Sequence, residues 1–433
     1  MPGRDTQRQR LLDAIVKVSC ERGYEGATIA GLIDRAGVSR RTFYEHFPNK
    51  QACFLDALPA IERELTARVD ERIDLGPAPS AASAALAALA SYAAERPLEA
   101  RFLMNETMAA GPWGQDARDR SVDEIALLVK DAYRCVAGAS VVPALPSGIL
   151  VGASYRLLAL SLVGGEHAPG ALEGELLAWA STYELPIGRR RSHTTSPSVA
   201  HARSTLRGRA PLRAPPRLGP GRPRRSAPEV SENQRLRIVV ATAETIKRRG
   251  YATATVAEIA RAAGVDGRVF YKLFDDKRDA FAAVREFVFQ NTMAATAGAF
   301  FAGADWPRRV WNAGATFTHH LEQNPDLAYA CIVESHAGGH EVARRLQDLV
   351  SGFTIFLQEG YEYRRQSPDA PSRFALDAIA QANLEILYRH ARREVDLSVT
   401  RLLGQLTYVS LTPFVGALGA EELIAEMIGE ASS

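Results

Sequence analysis

Ser39, Arg40, Arg41, Thr42, Tyr44 and His46 crowd six hydrogen-bonding side chains into eight consecutive residues. Hydroxyls and guanidinium groups in such a run can hold phosphate oxygens, and Arg and Thr can also reach the donor and acceptor edges of bases. Thr28 on one side and Lys50 on the other extend the set. Nothing in the chain competes with that chemistry. There is no Ser-His-Asp order, HExxH, phosphate-cradling loop or GxGxxG fingerprint, so neither an enzyme nor a cofactor is expected. His336 and His340 stand four apart as two metal ligands on a helix would, but Gly338-Gly339 interrupts them and no metal is expected.

The run must be held by a particular frame. Leu32, Val38, Phe43 and Phe47 are the apolar positions that would wedge two short helices against a preceding one. Gly37 falls where the turn between the helices needs positive φ. Thr28 and Ser39 are N-cap residues for the two helices. Together these predict a helix-turn-helix whose second helix exposes the polar run.

The same frame is written twice. At an offset of 227, Gly23-Tyr24 returns as Gly250-Tyr251, Ala36-Gly37-Val38 as Ala263-Gly264-Val265, Phe43-Tyr44 as Phe270-Tyr271, and Lys50 as Lys277. Thr255-Val-Ala-Glu258 adds a full capping box. Pro97 and Glu106 return as Pro325 and Glu334, so whole units are duplicated. Each Glu either touches a ligand or satisfies a buried backbone or Arg partner. The second copy keeps Arg268, Tyr271, Lys272 and Lys277, whereas Ser39, Arg40, Thr42 and His46 become Asp266, Gly267, Val269 and Leu273. It therefore reads as a weaker or differently specific copy, or as a degenerate one kept for packing.

Elsewhere long helix-prone segments dominate, among them 81–94, 122–135, 281–290, 373–393 and 399–411, with no alternating strand pattern. The predicted class is all-α. The predicted organisation is a reader at 1–50, a helical domain at 51–186, a disordered linker at 187–233, a second reader at 234–278 and a second helical domain at 279–430. The net charge of +2 hides an asymmetry: residues 185–228 hold eleven Arg and no Asp or Glu, which leaves 2 − 11 = −9 for the rest. Basic charge so concentrated fits a local polyanion contact. Arg222 and Arg224, set by proline in Gly221-Arg-Pro-Arg-Arg225, either enter a narrow minor groove or merely solvate the linker. The four cysteines form no CxxC pair and the N-terminal residues no apolar core of a signal sequence. The longest apolar run, 149–165, carries Arg156 and is shorter than a bilayer. A soluble cytoplasmic chain that does not enter the membrane is expected.

Both copies resemble the N-terminal domain of TetR-family transcriptional regulators: Gly23-Tyr24, Thr28, Ala36-Gly37-Val38-Ser39, Phe43-Tyr44, Phe47 and Lys50 follow that family's pattern over about 45 residues per unit. The resemblance implies all-helical, homodimeric regulators, mostly repressors, with a double-stranded DNA operator and a small-molecule effector as partners. It implies that Thr28, Arg40, Arg41, Thr42, Tyr44 and His46 face DNA and that Lys50 meets a phosphate; Thr255, Arg268, Tyr271, Lys272 and Lys277 follow for the second copy. Effector candidates, taken as partly apolar pocket residues, are Phe102, Met104, Trp113, Tyr155 and Trp179 in the first unit. In the second they are Trp306, Trp311, Phe317, His320 and Tyr329. Two readers in one chain are expected to pair as an intrachain pseudo-dimer on unlike half-sites, with a dimer of chains as the other possibility. A DNA-architectural protein without effector, or a ligand-binding protein whose second reader has decayed, are the rival classes.

Overall fold

The computed structural model describes residues 2–75, 80–135, 141–143, 145–164, 168–186, 212–217, 226–336, 349–363, 371–392 and 399–432. They fall into two compact units, Met1–Arg191 with Pro371–Ala382, and Ser192–Ala370 with Asn383–Ser433.

In the first unit α1 (Pro2–Gly26), α2 (Ile29–Ala36) and α3 (Arg40–His46) form a three-helix reader, followed by the long α4 (Lys50–Asp74). Leu11, Ile15, Val18, Leu32, Phe43 and Phe47 meet in its core, as the apolar spacing requires. A fully buried Phe such as Phe43 is worth about 1.5–3 kcal/mol, and its truncation to Ala would cost about 3–5 kcal/mol. Beyond the reader, α5 (Ala81–Glu95) is buried on nearly every side. Its alanines let neighbours approach closely, so it runs through the middle of the bundle against α4, α8 (Pro112–Cys135), α9 (Ser147–Leu162) and α10 (Glu173–Ser181). Between α5 and α8 the chain makes α6 (Pro97–Arg101), one π-helical turn (Phe102–Glu106) and α7 (Thr107–Ala109).

The second unit repeats the plan. Its α11 (Ala227–Arg249), α12 (Val256–Ala263), α13 (Gly267–Leu273) and α14 (Lys277–Phe300) lead into α15 (Trp306–Gln323) and α16 (Pro325–Ile332). The bounds of α2 and α3 map onto those of α12 and α13 at the offset of 227 without a slip. Further on lie α17 (Glu359–Tyr363), α18 (Phe374–Arg392), whose residues up to Ala382 group with the first unit, and α19 (Val399–Ser432).

The fold is helical as expected, with one short antiparallel pair, β1 (Val141–Pro143) and β2 (Glu184–Pro186), in the first unit. One expectation needs correction. The segment 187–233 is not uniformly a linker: Leu212–Arg217 lies against the second unit, and α11 already opens at Ala227 behind a Ser226–Glu229 capping box. Arg222 and Arg224 lie outside the described residues. Among the described residues, Leu402–Gly429 is long and apolar enough to cross a membrane, and 67% of it is buried within the protein, as in a core helix.

Candidate nucleic-acid interface

Each reading helix is built by its caps. Thr28 Oγ1 accepts from the backbone N–H of Gly31 at 3.1 Å, and Ser39 Oγ accepts from that of Thr42 at 3.0 Å. Gly37, at φ 60°, lets the chain turn between them, and Gly264 does the same at φ 62°. In the second unit Thr255 and Glu258 cap each other reciprocally, with the Thr255 N–H reaching Glu258 Oε2 at 3.1 Å and the Glu258 N–H reaching Thr255 Oγ1 at 3.3 Å. The hydrogen bonds from Thr255, with the nearby arginines, hold the Glu258 carboxyl below its usual range. Asp266 Oδ1 takes the N–H of Arg268 at 2.8 Å.

With Phe43 and Phe270 buried, the opposite faces of α3 and α13 are turned outward. Arg40, Arg41 and Tyr44 are exposed on the first, Arg268, Tyr271 and Lys272 on the second. Tyr44 is 50% and Tyr271 62% accessible, a large exposure for an aromatic ring and well suited to a partner. Arg41 holds Glu45 at 2.9 Å one turn away, a surface ion pair worth only about 0.3–0.5 kcal/mol. Its guanidinium can therefore be redirected at small cost. Thr42 is half-buried, its hydroxyl 2.9 Å from that of Ser39.

Two expected contacts differ. His46 is half-buried with Nε2 shielded from solvent, and Leu273, its counterpart, packs against the core of the second reader. This position serves packing, so the change from His to Leu removes no outward donor. Lys50 turns inward as well. Its ammonium donates to the Tyr24 carbonyl at 2.7 Å and lies 3.9 Å from the centre of the Tyr24 ring, and burial pulls its pKa down. Lys277 repeats this on Tyr251 at 2.6 Å and 4.4 Å.

The other side of the same residue is held by the duplicated carboxylates. The Tyr24 N–H donates to Glu106 Oε2 at 3.0 Å, and the Tyr251 N–H donates to Glu334 Oε2 at 3.2 Å. Glu106 has Arg101 Nε at 3.8 Å as well. Burial raises the pKa of Glu334. Both glycines ahead of the tyrosines, Gly23 and Gly250, sit near φ 75°, which presents the N–H to the carboxylate. Of the two roles left open for these Glu residues, the backbone partner is the one found. Sequence alone identified the repeated Glu but had no means to name a partner 82 residues away.

The effector candidates divide. Phe102 and Trp113 join Phe54 and Tyr24 in one aromatic cluster, with ring centres 4.1 Å apart for Phe54–Phe102 and 5.3 Å for Tyr24–Trp113. That cluster is the seam between reader and bundle. Tyr155 belongs elsewhere, fully buried with its hydroxyl 2.9 Å from Ser121 Oγ and near the buried Arg118; burial raises its pKa. Met104 is buried in the π-helical turn, and Trp179 packs edge-on against Tyr183 at 5.6 Å. In the second unit Trp311 and His320 are buried on α15 and Tyr329 is half-buried on α16. Trp306 donates to the Phe356 carbonyl at 3.0 Å, and Phe317 meets Phe353 at 5.5 Å. The rings of Phe353 and Phe356 lie 6.3 Å apart, so Trp306 and Phe317 are linked through them.

The sequence pattern described as "Bacterial regulatory proteins, tetR family" matches residues 11–57 and 238–284. The HTH-type transcriptional repressor AcnR of Corynebacterium efficiens is 38% identical over 66 residues, 15% of this chain and 33% of that protein. The HTH-type transcriptional activator FasR of Mycolicibacterium smegmatis is 42% identical over 55 residues, 13% of this chain and 25% of that protein. The chain thus matches a third or less of the length of these relatives. Among solved structures, the fatty acid degradation regulator FadR from Bacillus halodurans aligns with a TM-score of 0.37 at 22% identity, over 40% of this chain and 96% of its own.

Proposed function

We propose that this chain, in which the pattern of the tetR family of bacterial regulatory proteins matches twice, is a sequence-specific regulator of the repressor type whose two readers occupy one operator. The observation that carries this is the pair of capped reading helices with outward faces of unequal chemistry: Arg40, Arg41 and Tyr44 on one, Arg268, Tyr271 and Lys272 on the other. Unequal faces read unequal base edges, so the operator is two unlike half-sites rather than a palindrome. Half-sites on one face of a duplex lie roughly 34–36 Å apart. The readers pair within one chain as a pseudo-dimer, and a small, partly apolar effector acts through the helical bundles. The Phe102–Phe54–Tyr24–Trp113 cluster supports that coupling, since a shift in the bundle there must move the ring packed under the reader.

Selection of duplexes from a random-sequence pool by the full chain, with light scattering of the resulting complex, tests the reading. One chain per duplex on an asymmetric site is the expected result. Failure to retain any duplex ends the proposal, and a two-chain complex on a palindrome ends its intrachain form. A second reading, in which the second reader only packs, is favoured by Gly267 and Val269 in place of Arg40 and Thr42. A selected site with a single specified half would support it.

A further inference from the structure

The stretch Leu212–Arg217 is a strap across the second reader. Leu212 packs its side chain against the cluster that contains Ile238, Ile259 and Phe270, and its N–H donates to Asn324 Oδ1 at 2.7 Å. Four residues on, the Pro216 carbonyl accepts from Asn233 Nδ2 at 3.3 Å. Pro215-Pro216 stiffens the path between the two anchors. The anchors belong to the second unit alone: the residues at the same places in the first are Thr6 and Arg96. Asn324 and Asn233 are both buried.

At its end the strap lays the Arg217 guanidinium over Gly264, the turn glycine of the helix-turn-helix, where a Cβ could be added only by displacing that guanidinium. The carbonyls of that turn already have a cation. Arg237 donates to those of Ala263 and Gly264, as its counterpart Arg10 does to Gly37 at 2.9 Å in the first reader. Arg217 is therefore a second cation where the fold uses one. Burial first and the neighbouring Arg217 charge second pull the pKa of Arg237 down. Arg213 stands exposed on the same strap. Two like charges held side by side on an exposed turn fit an anion shared between strap and reader. In a helix-turn-helix that turn precedes the helix whose N-terminus enters the major groove, so it borders the phosphate backbone.

We propose that the strap is part of the second reader's DNA interface, with Arg217 and Arg213 taking duplex phosphates. This rests on the reading of the chain as a DNA-binding regulator. The strap restores cationic groups at the reader that carries Asp266 and Gly267 where the first has Ser39 and Arg40. Its contacts are to the backbone, so they add affinity and register and carry no sequence choice of their own.

The test uses the full chain and a duplex it has selected from a random-sequence pool. Binding is titrated over a range of salt for the natural chain and for the double variant Arg213→Gln, Arg217→Gln. Every phosphate that is no longer neutralised should flatten the log–log salt slope by about 0.9. The double variant should therefore flatten by close to twice that, with an unchanged melting midpoint. Leu212→Ser, which keeps both charges and releases their anchor, should also weaken binding. A slope equal to that of the natural chain overturns the proposal. So does an equal flattening when Arg189 and Arg190 are neutralised instead, because any linker charge would then serve. If the natural chain retains no duplex, the regulator reading itself has failed, and that outcome is separate from both.

Discussion

Replacing Glu106 by Ala isolates the bond that ties the first reader to its bundle. Glu106 is fully buried and accepts the Tyr24 N–H at 3.0 Å. A hydrogen bond to a charged acceptor contributes about 1.5–3 kcal/mol net, and a donor left unpaired in a buried place costs a similar amount. Tyr24 is half-buried, so water can reach part of the vacated site and the lower half of the range applies, about 2 kcal/mol. Ala is at least as good a helix former as Glu, so no helix penalty is added. Since each 1.4 kcal/mol is tenfold, local opening at the Tyr24 amide should become about 30-fold more frequent. Glu106→Gln keeps an acceptor of the same shape and should open only several-fold more often. Native-state hydrogen exchange at Tyr24 reads this directly. An unchanged Tyr24 amide in the Ala variant, or Gln as harmful as Ala, would refute the clamp.

Three further outcomes are expected. Arg41→Ala or Tyr44→Ala should weaken specific binding by about 1–3 kcal/mol and Arg268→Ala by less; equal losses in gel-shift titrations at matched salt would contradict the ranking. Gly264→Ala must hold φ 62° and push aside Arg217, so it should cost about 1–2 kcal/mol in urea unfolding, whereas an unchanged midpoint would mean the turn is not strained. Glu334 has a pKa raised by burial above its ordinary 4.5, so the folded form holds its proton more tightly than the unfolded one. Its contribution is fully present below about pH 4.5 and is lost as pH rises through the folded value; Glu334→Gln should flatten that slope in the second unit's stability.

The local parts of the interface are legible in the sequence because their causes are local. A cap needs its Ser, Thr or Asp two or three residues from the N–H it takes, so Thr28, Ser39, Thr255 and Asp266 can be placed by spacing alone. Gly37 and Gly264 announce positive φ for the same reason. What escapes depends on distant partners. The family resemblance puts Lys50 on a phosphate, yet its amine finds a carbonyl and a ring 26 residues back. His46 faces outward on a helical wheel, but neighbouring helices cover half of it. The strap is hidden by its composition: proline and arginine read as linker, and one leucine among them gives no period to follow. The effector candidates are aromatics at helical spacing, a pattern that core and pocket share because large rings fill volume between helices in both.

The backbone of Tyr24 has a consequence for how this protein can be taken apart. Its N–H is met from 82 residues downstream and its carbonyl from 26, and Tyr251 repeats the arrangement at 83 and 26. A three-helix fragment cut after residue 50 would keep the lysine and lose the carboxylate, along with Phe54, Phe102 and Trp113 beneath the ring. Its last turn would fray toward water. Reader and bundle within each unit therefore order and melt together as a single cooperative block. Anything that stiffens a bundle is felt by its reader as a loss of freedom, even where no atom changes its mean position. A piece that keeps the partners of the first reader's Tyr24 must therefore run at least to Trp113.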